Sequence, residues 1–365
     1  MKRWLLLILL LASCAKEKPQ LDLSDILNSA VPELQRVTQN IDAHEVQIML
    51  TDLKTGREYH FQVNDSNYFY PASTVKLPVA ILALEKAYED AQVSSSTAFY
   101  IEGDSTVTTI RKEVEKIFAV SDNEAYNRLF ESLGTDYINR KLQEKGLQPG
   151  RIAHRLSIPE ADDPTTRTLV FQLNDSTLVQ QEEMVNRLPE RLQLNRVHKG
   201  VGYYDEDLLV HEPMDFSEKN YLPITTLHGI MKRLFATESF SKVQQFQLDE
   251  EDQSFLLSTM AKLPRELGYD QTEYYDSYVK FFMFGDSEAQ MPSHIKIHNK
   301  VGYAYGYLTD CAYVIDNEND VEFILTATVH VNENQIFNDD TYEYEELGIP
   351  FLAALGREVH NKLSN

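Results

Sequence analysis

The stretch FYPASTVKLP, residues 69–78, sets a serine at position 73 one helical turn ahead of a lysine at position 76, at the mouth of an apolar run. Spacing of three puts both side chains on one helical face, where an amine can take the proton of a hydroxyl and turn it into a nucleophile. The pattern alone carries little weight, because Ser13, Ser239, Ser277 and Ser293 also stand three residues ahead of a lysine. Ser73 differs in its company. AVSDNEAYNRLF places Ser121, Asp122 and Asn123 at the start of an amphipathic segment, and Lys300-Val301-Gly302 lies in a long strand candidate.

The chemistry open to these groups follows from their surroundings. A lysine near the positive end of a helix dipole, partly desolvated in a cleft, is biased toward its neutral form and can act as a base. Ser73 at a helix start presents its own backbone N–H to an attacked carbonyl oxygen, and the N–H of Tyr303, just after Gly302, would complete an oxyanion hole. Singly, each group has a plainer reading. Ser73, Ser121 and Asp122 can be helix caps, and Lys300 a solvated strand residue.

Elements must bring these groups together. A helix fits residues 25–40 with Ser24 as its N-cap, and VQIMLTDLKTGREYHFQVN reads as two alternating strands joined at KTG. A strong helical pattern runs from 73 to about 90, with Pro78 tolerable near its first turn, and helical segments follow at about 108–120, 122–134 and 136–145. Residues 165–222 mix short pieces and read as an insertion. Helical patterning resumes at ITTLHGIMKRLF and DQSFLLSTMAKL, then come HIKIHNKVGYAYGYLTDCAYVID, expected to bend at its glycines, VEFILTATVHVN, and a helix over about 345–362. The expected fold is α+β: an antiparallel sheet formed from both chain ends and packed by helices, plus a mostly helical lobe, with a cleft between.

Ser-x-x-Lys, then Ser-Asp-Asn, then Lys-x-Gly on a strand, in that order, resembles the signature of the class A β-lactamases and penicillin-binding serine acyl-enzymes. The resemblance covers about residues 25–160 and 222–363. It implies that Ser73 is acylated by a cyclic amide with Lys76 as base, that Ser121 relays a proton to the leaving nitrogen, and that Asn123 holds the substrate amide and the Lys76 ammonium. Lys300 would attract the substrate carboxylate, with Gly302 and Tyr303 lining the substrate-binding strand. The family's deacylating glutamate is expected at Glu160, in HRLSIPEADDPT, although Pro164 stands where the family has an asparagine. Val301 replaces a hydroxyl residue whose bond to a charged substrate group is worth about 1.5 to 3 kcal/mol. YAYGYLTDC offers no arginine for the same carboxylate. These departures leave two alternatives: a penicillin-interacting D,D-peptidase or transpeptidase acting on peptidoglycan peptides, or a non-catalytic envelope-binding lipoprotein.

The bulk properties set the address. Two cations and nine apolar residues, Trp4 to Ala12, precede Ser13 and Cys14, a run too short to span a bilayer and suited to a secretory signal. LASC resembles a lipobox, which implies removal of residues 1–13, lipid on Cys14, a polar tether over 14–24 and a catalytic domain over 25–365. The expected location is the bacterial cell envelope, lipid-anchored, facing the periplasm or the outer surface. Without residues 1–13 the chain keeps 32 basic against 57 acidic side chains, which argues against nucleic acid and against docking on anionic lipid. The membrane is therefore expected to be touched through the lipid only, and the protein to act as a monomer. With Cys14 lipidated, Cys311 has no partner, so the fold must hold without disulfides. Of the ten histidines only His294 and His298 stand four apart, in a strand candidate rather than a helix, and no glycine pattern cradles phosphate, so neither metal nor cofactor is expected. Tyrosine-rich stretches at 202–204, 268–278 and 303–313 read first as sheet-face packing and second as the lining of a groove.

Overall fold

Alternating apolar strands at the two ends of the chain find each other. The computed structural model describes residues 21–174 and 176–364, so the signal segment and Cys14 lie outside the described residues. A five-stranded antiparallel sheet runs in the spatial order Ile295–Ala304, Tyr307–Asp316, Val321–His330, Gln47–Asp52, Arg57–Phe61. The N-terminal pair joins the C-terminal three through the register Gln47 with Thr328 and Asp52 with Phe323. The bend expected at the glycines is a two-residue turn, Tyr305-Gly306, with φ of 54° and 75° at its two residues, the left-handed pair that tight hairpins need.

Period-two alternation splits the sheet faces. Phe323, Leu325 and Ala327 join the cluster of Phe351, Leu355 and Val359 from the C-terminal helix Ile349–Ser364. Ile324 faces the other way with Leu227 and Met231 of the helix Ile224–Phe235. The central strand is therefore buried on both sides, which explains its nearly unbroken apolar run.

Two expected elements differ in detail. The helix expected over 25–40 is two, Leu23–Leu27 and Pro32–Thr38, because Pro32 can open a helix but cannot continue one. The first is capped by Asp22, whose carboxylate accepts from the Ser24 N–H at 2.8 Å, so Ser24 is inside the helix and is not its cap.

The helical lobe is built around Lys76–Glu89, buried on nearly every side by Ile110–Val120, Asn123–Leu133 and Thr135–Glu144. A four-stranded sheet in the order Thr108–Thr109, Ala98–Ile101, Leu169–Asn174, Thr177–Gln181 flanks it. The remainder of the 165–222 stretch crosses to the other side of the cleft. There Val197, Met214, Phe216 and Tyr221 pack on Tyr68, Phe69 and Tyr70, the residues that lead into Ser73. Among the described residues no helix is long and apolar enough to cross a membrane.

Candidate active site

Ser73 stands on a single 3-10 turn, Ala72–Val75, that opens directly into Lys76–Glu89. The turn is pinned by the Thr74 hydroxyl, which donates to the Pro71 carbonyl at 2.6 Å. The sheet's edge strand then presses against it at Gly302. A Cβ at that position would lie 2.7 Å from Pro71 O, 2.7 Å from Thr74 N and 2.8 Å from Ser73 N. Only glycine allows this approach, so the third motif needs its glycine for closeness rather than for backbone freedom. Ser73 is half-buried and its hydroxyl makes no hydrogen bond with any described residue.

The base candidate is tied to the second motif. Lys76 is fully buried, and its Nζ donates to Asn123 Oδ1 at 2.6 Å, to Ser121 Oγ at 3.2 Å and to the Ser121 carbonyl. Lys300 Nζ reaches the same Ser121 Oγ at 2.8 Å and the Val301 carbonyl at 2.8 Å. Two lysines thus converge on one hydroxyl, whose own proton stays uncommitted. Burial holds the Lys76 amine well below the usual lysine range, and the neighbouring Lys300 charge pushes it further down, against a partial pull from Asp122. Burial likewise brings Lys300 down to about 7.

Ser121 occupies a corner between two helices, and both readings of the Ser-Asp-Asn motif hold there. Asp122 is a cap, its carboxylate accepting from the Ala125 N–H at 2.8 Å. Ser121 closes the preceding helix in the left-handed region, φ 57°, a conformation that costs about 1–3 kcal/mol in a non-glycine residue and aims its side chain between the two lysines. Behind Lys300 lies a buried network missed by the sequence reading. Asn299 donates to Asp310 at 2.9 Å and accepts from Lys280 at 2.8 Å, and burial raises the Asp310 carboxyl to about 6. Ser277 and Lys280, one of the other serine-lysine pairs, are parts of the scaffold: the Ser277 hydroxyl donates to the Ser287 carbonyl.

The loop after His154 does not bring Glu160 to this group. Glu160 is exposed, with φ 54°, and its carboxylate makes no hydrogen bond with a described residue, because the turn 159–162 faces it to solvent. Ser157 is the loop residue that arrives, its hydroxyl accepting from Asn123 Nδ2 at 3.0 Å. It sits three positions before Glu160, and the sequence held no signal for it beyond that proximity. The loop is anchored by Arg155, which bonds Glu131 Oε1 at 2.8 Å and Oε2 at 3.0 Å, both residues being buried. Replacing Arg155 with methionine leaves the Glu131 charge short of its main partner. The expected loss of stability is about 3–5 kcal/mol, read as a fall in urea midpoint, with Glu131→Gln/Arg155→Met together costing less than the single change.

Ser73, Asn123, Ser157 and Tyr303 line one cavity of about 1100 Å³. Its far wall comes from the 165–222 stretch, through Leu188, Asp215 and Glu218. Tyr70, stacked at 6.5 Å on His154 and edge-on to Tyr305 at 4.9 Å, forms the floor beside Ser73. Among the described residues no cluster of three or more histidine, cysteine or acidic side chains is disposed to hold a metal ion.

Residues 30–190 match the profile of the β-lactamase enzyme family. Among solved structures, a β-lactamase from Desulfarculus baarsii DSM 2075 superposes with a TM-score of 0.56 at 14% identity, over 95% of this chain and 100% of that one. A β-lactamase from Xanthomonas campestris pv. campestris str. ATCC 33913 gives 0.53 at 14% identity, over 94% and 99%. A class A β-lactamase from Mycobacterium abscessus gives 0.50 at 15% identity, over 88% and 95%. A search of curated proteins finds no match. At these identities the structural likeness speaks for the fold.

Proposed function

We propose, from the match of residues 30–190 to the β-lactamase enzyme family and from the class A β-lactamase fold, that the chain is a serine hydrolase that opens β-lactam rings through an acyl-enzyme on Ser73. The observation that carries this reading is the Lys76–Ser121–Lys300 chain of hydrogen bonds beside a half-buried serine held against Gly302. In the proposed reaction the lactam oxygen sits between the N–H groups of Ser73 and Tyr303. Ser73 Oγ attacks the carbonyl carbon as neutral Lys76 takes its proton. The C–N bond then breaks, and the ring nitrogen is protonated by Ser121, which is resupplied by the lysines.

Deacylation is the weaker half. Among the described residues no carboxylate side chain is hydrogen-bonded to Ser73, Lys76, Ser121 or Asn123, and the loop side chain facing Asn123 is a serine, a poor base for water. We therefore expect the acyl-enzyme to persist. The test is intact-protein mass spectrometry of the domain from about residue 20, mixed with a chromogenic cephalosporin whose absorbance is followed. A burst of colour stoichiometric with the mass gain, followed by slow further colour development, supports the hydrolase reading. A mass increase with no turnover moves it to a penicillin-interacting D,D-peptidase or transpeptidase on peptidoglycan peptides, a reading that the solvent-facing Glu160 favours. No adduct and no colour removes the enzyme reading and leaves a binding lipoprotein.

The lysine shifts give the acylation step a pH dependence. Lys76 acts when neutral, so acylation is expected to fall as pH drops through its lowered pKa. Lys300 attracts a substrate carboxylate when charged, so saturation should weaken as pH rises past about 7. The check is the rate of mass gain against pH at several penicillin concentrations. Lys76→Arg, which stays charged, should lose the step across the whole range.

The N-terminal run and Cys14 support a lipid-anchored place in the cell envelope. Its check is palmitate labelling of the full chain, which Cys14→Ala should abolish.

A further inference from the structure

The wall of the cavity opposite the loop is made of tyrosines and a carboxylate. Tyr303 and Tyr344 meet edge-on at 5.3 Å, and Tyr342 lies 5.3 Å from Tyr344. The hydroxyls of the last two are already held, Tyr344 accepting from the Gly306 N–H at 2.8 Å and Tyr342 from the Asn338 N–H at 3.0 Å. With their tips tied down, these side chains offer the cavity ring surface. Tyr303 remains 50% exposed, a large ring only half covered by its neighbours. Asp340, on the same segment, is exposed, and its side chain neither pairs with a charge nor makes a hydrogen bond among the described residues.

Cations on the lining do little to offset this. Arg155 is spent on Glu131, and Asp162, also on the lining, is exposed and like Asp340 has no charged partner among the described residues. Asp215 and Glu218 share Arg191 at 3.3 and 3.0 Å, leaving Lys219 the only free cation among the described lining residues. Ring faces next to an unpaired carboxylate are the combination that recognises an organic ammonium, through cation–π attraction and charge together.

We propose that this cavity selects acyl donors carrying a positive charge on the acyl side chain, the cation seating against Tyr303, Tyr342, Tyr344 and Asp340. The proposal rests on Ser73 being the acylated residue and adds the class of substrate. It separates this site from one built to hold an anionic side chain.

The experiment uses three penicillins that share a phenylacetyl side chain and carry hydrogen, ammonium or carboxylate on its α-carbon. Initial rates of mass gain on Ser73 are measured for each at low and high salt. The expected order is ammonium, hydrogen, carboxylate, with the extremes about tenfold apart at low salt and converging at high salt. Asp340→Asn should shrink the gap at least about threefold, and Tyr342→Leu should shrink it independently. Asp340 has φ 55°, which asparagine adopts as readily, so the first variant is not expected to disturb the fold. Equal rates, the reverse order, or a gap unchanged in both variants overturns the proposal while leaving Ser73 acylation standing. Absence of any adduct from all three penicillins overturns both.

Discussion

Ser73→Ala is expected to gain no mass from any penicillin and to lose turnover by a factor on the order of 10⁴ or more. The reason is stoichiometric as well as energetic, because the ester oxygen of the acyl-enzyme is the one this change deletes. The fold should hardly notice. The hydroxyl has no hydrogen-bond partner among the described residues, and the turn that carries it is fixed instead by Thr74 and Pro71. The stability change should therefore fall within about 0.5 kcal/mol, measured by urea denaturation. Retained adduct formation in Ser73→Ala would show that another nucleophile is being acylated, and would sink the mechanism.

The second large effect is expected at Gly302, where no side chain is lost at all. Alanine there must push a carbon against Pro71 O, Thr74 N and Ser73 N, all backbone atoms closer than real Cβ contacts permit. The edge strand then has to back away from the serine turn, and the two N–H groups proposed to hold the oxyanion separate. Losing one such donor costs about 10² to 10³ in rate. Strain from the added carbon should cost about 1–3 kcal/mol of stability. Gly56→Ala is the matched control. Its Cβ meets nothing within 4 Å but its φ of 69° is strained, so it should lose about 1 kcal/mol and leave acylation unchanged. Acylation rates for Gly302→Ala equal to those of Gly56→Ala would mean that the close approach has no catalytic role.

What the sequence disclosed follows from how local each signal is. The sheet from both chain ends was legible because alternation and the tight turns at KTG and Tyr305-Gly306 are short-range properties. The Ser73, Ser121 and Lys300 motifs were recognisable through their order, and the structure brings Lys76, Ser121, Asn123 and Lys300 within hydrogen-bond distance. Glu160 shows the limit. A glutamate in the right loop looks the same whether it faces solvent or substrate, and a left-handed turn decides between the two. Ser157 could not have been chosen over it, since long-range bonds from Arg155 to Glu131 and between Leu156 and Asn127 fix which loop residue meets Asn123. The 165–222 stretch was read as an excursion, but its apolar residues are too scattered to reveal that they cover Tyr68 to Tyr70 and wall the cavity.

The pairing of Gln47 with Thr328 also sets the order in which the molecule can assemble. During synthesis the hairpin 47–61 emerges first, and its open edge stays without a partner until residues 321–330 have been made. Closing so long a loop is entropically slow, and sheets that depend on such contacts form late. The edge strand that backs Ser73 is threaded into the same late sheet, so the nucleophile has no oxyanion partner until residues 295–330 have been made. A chain that stops short of these strands is thus both unfinished as a sheet and inert toward acylation.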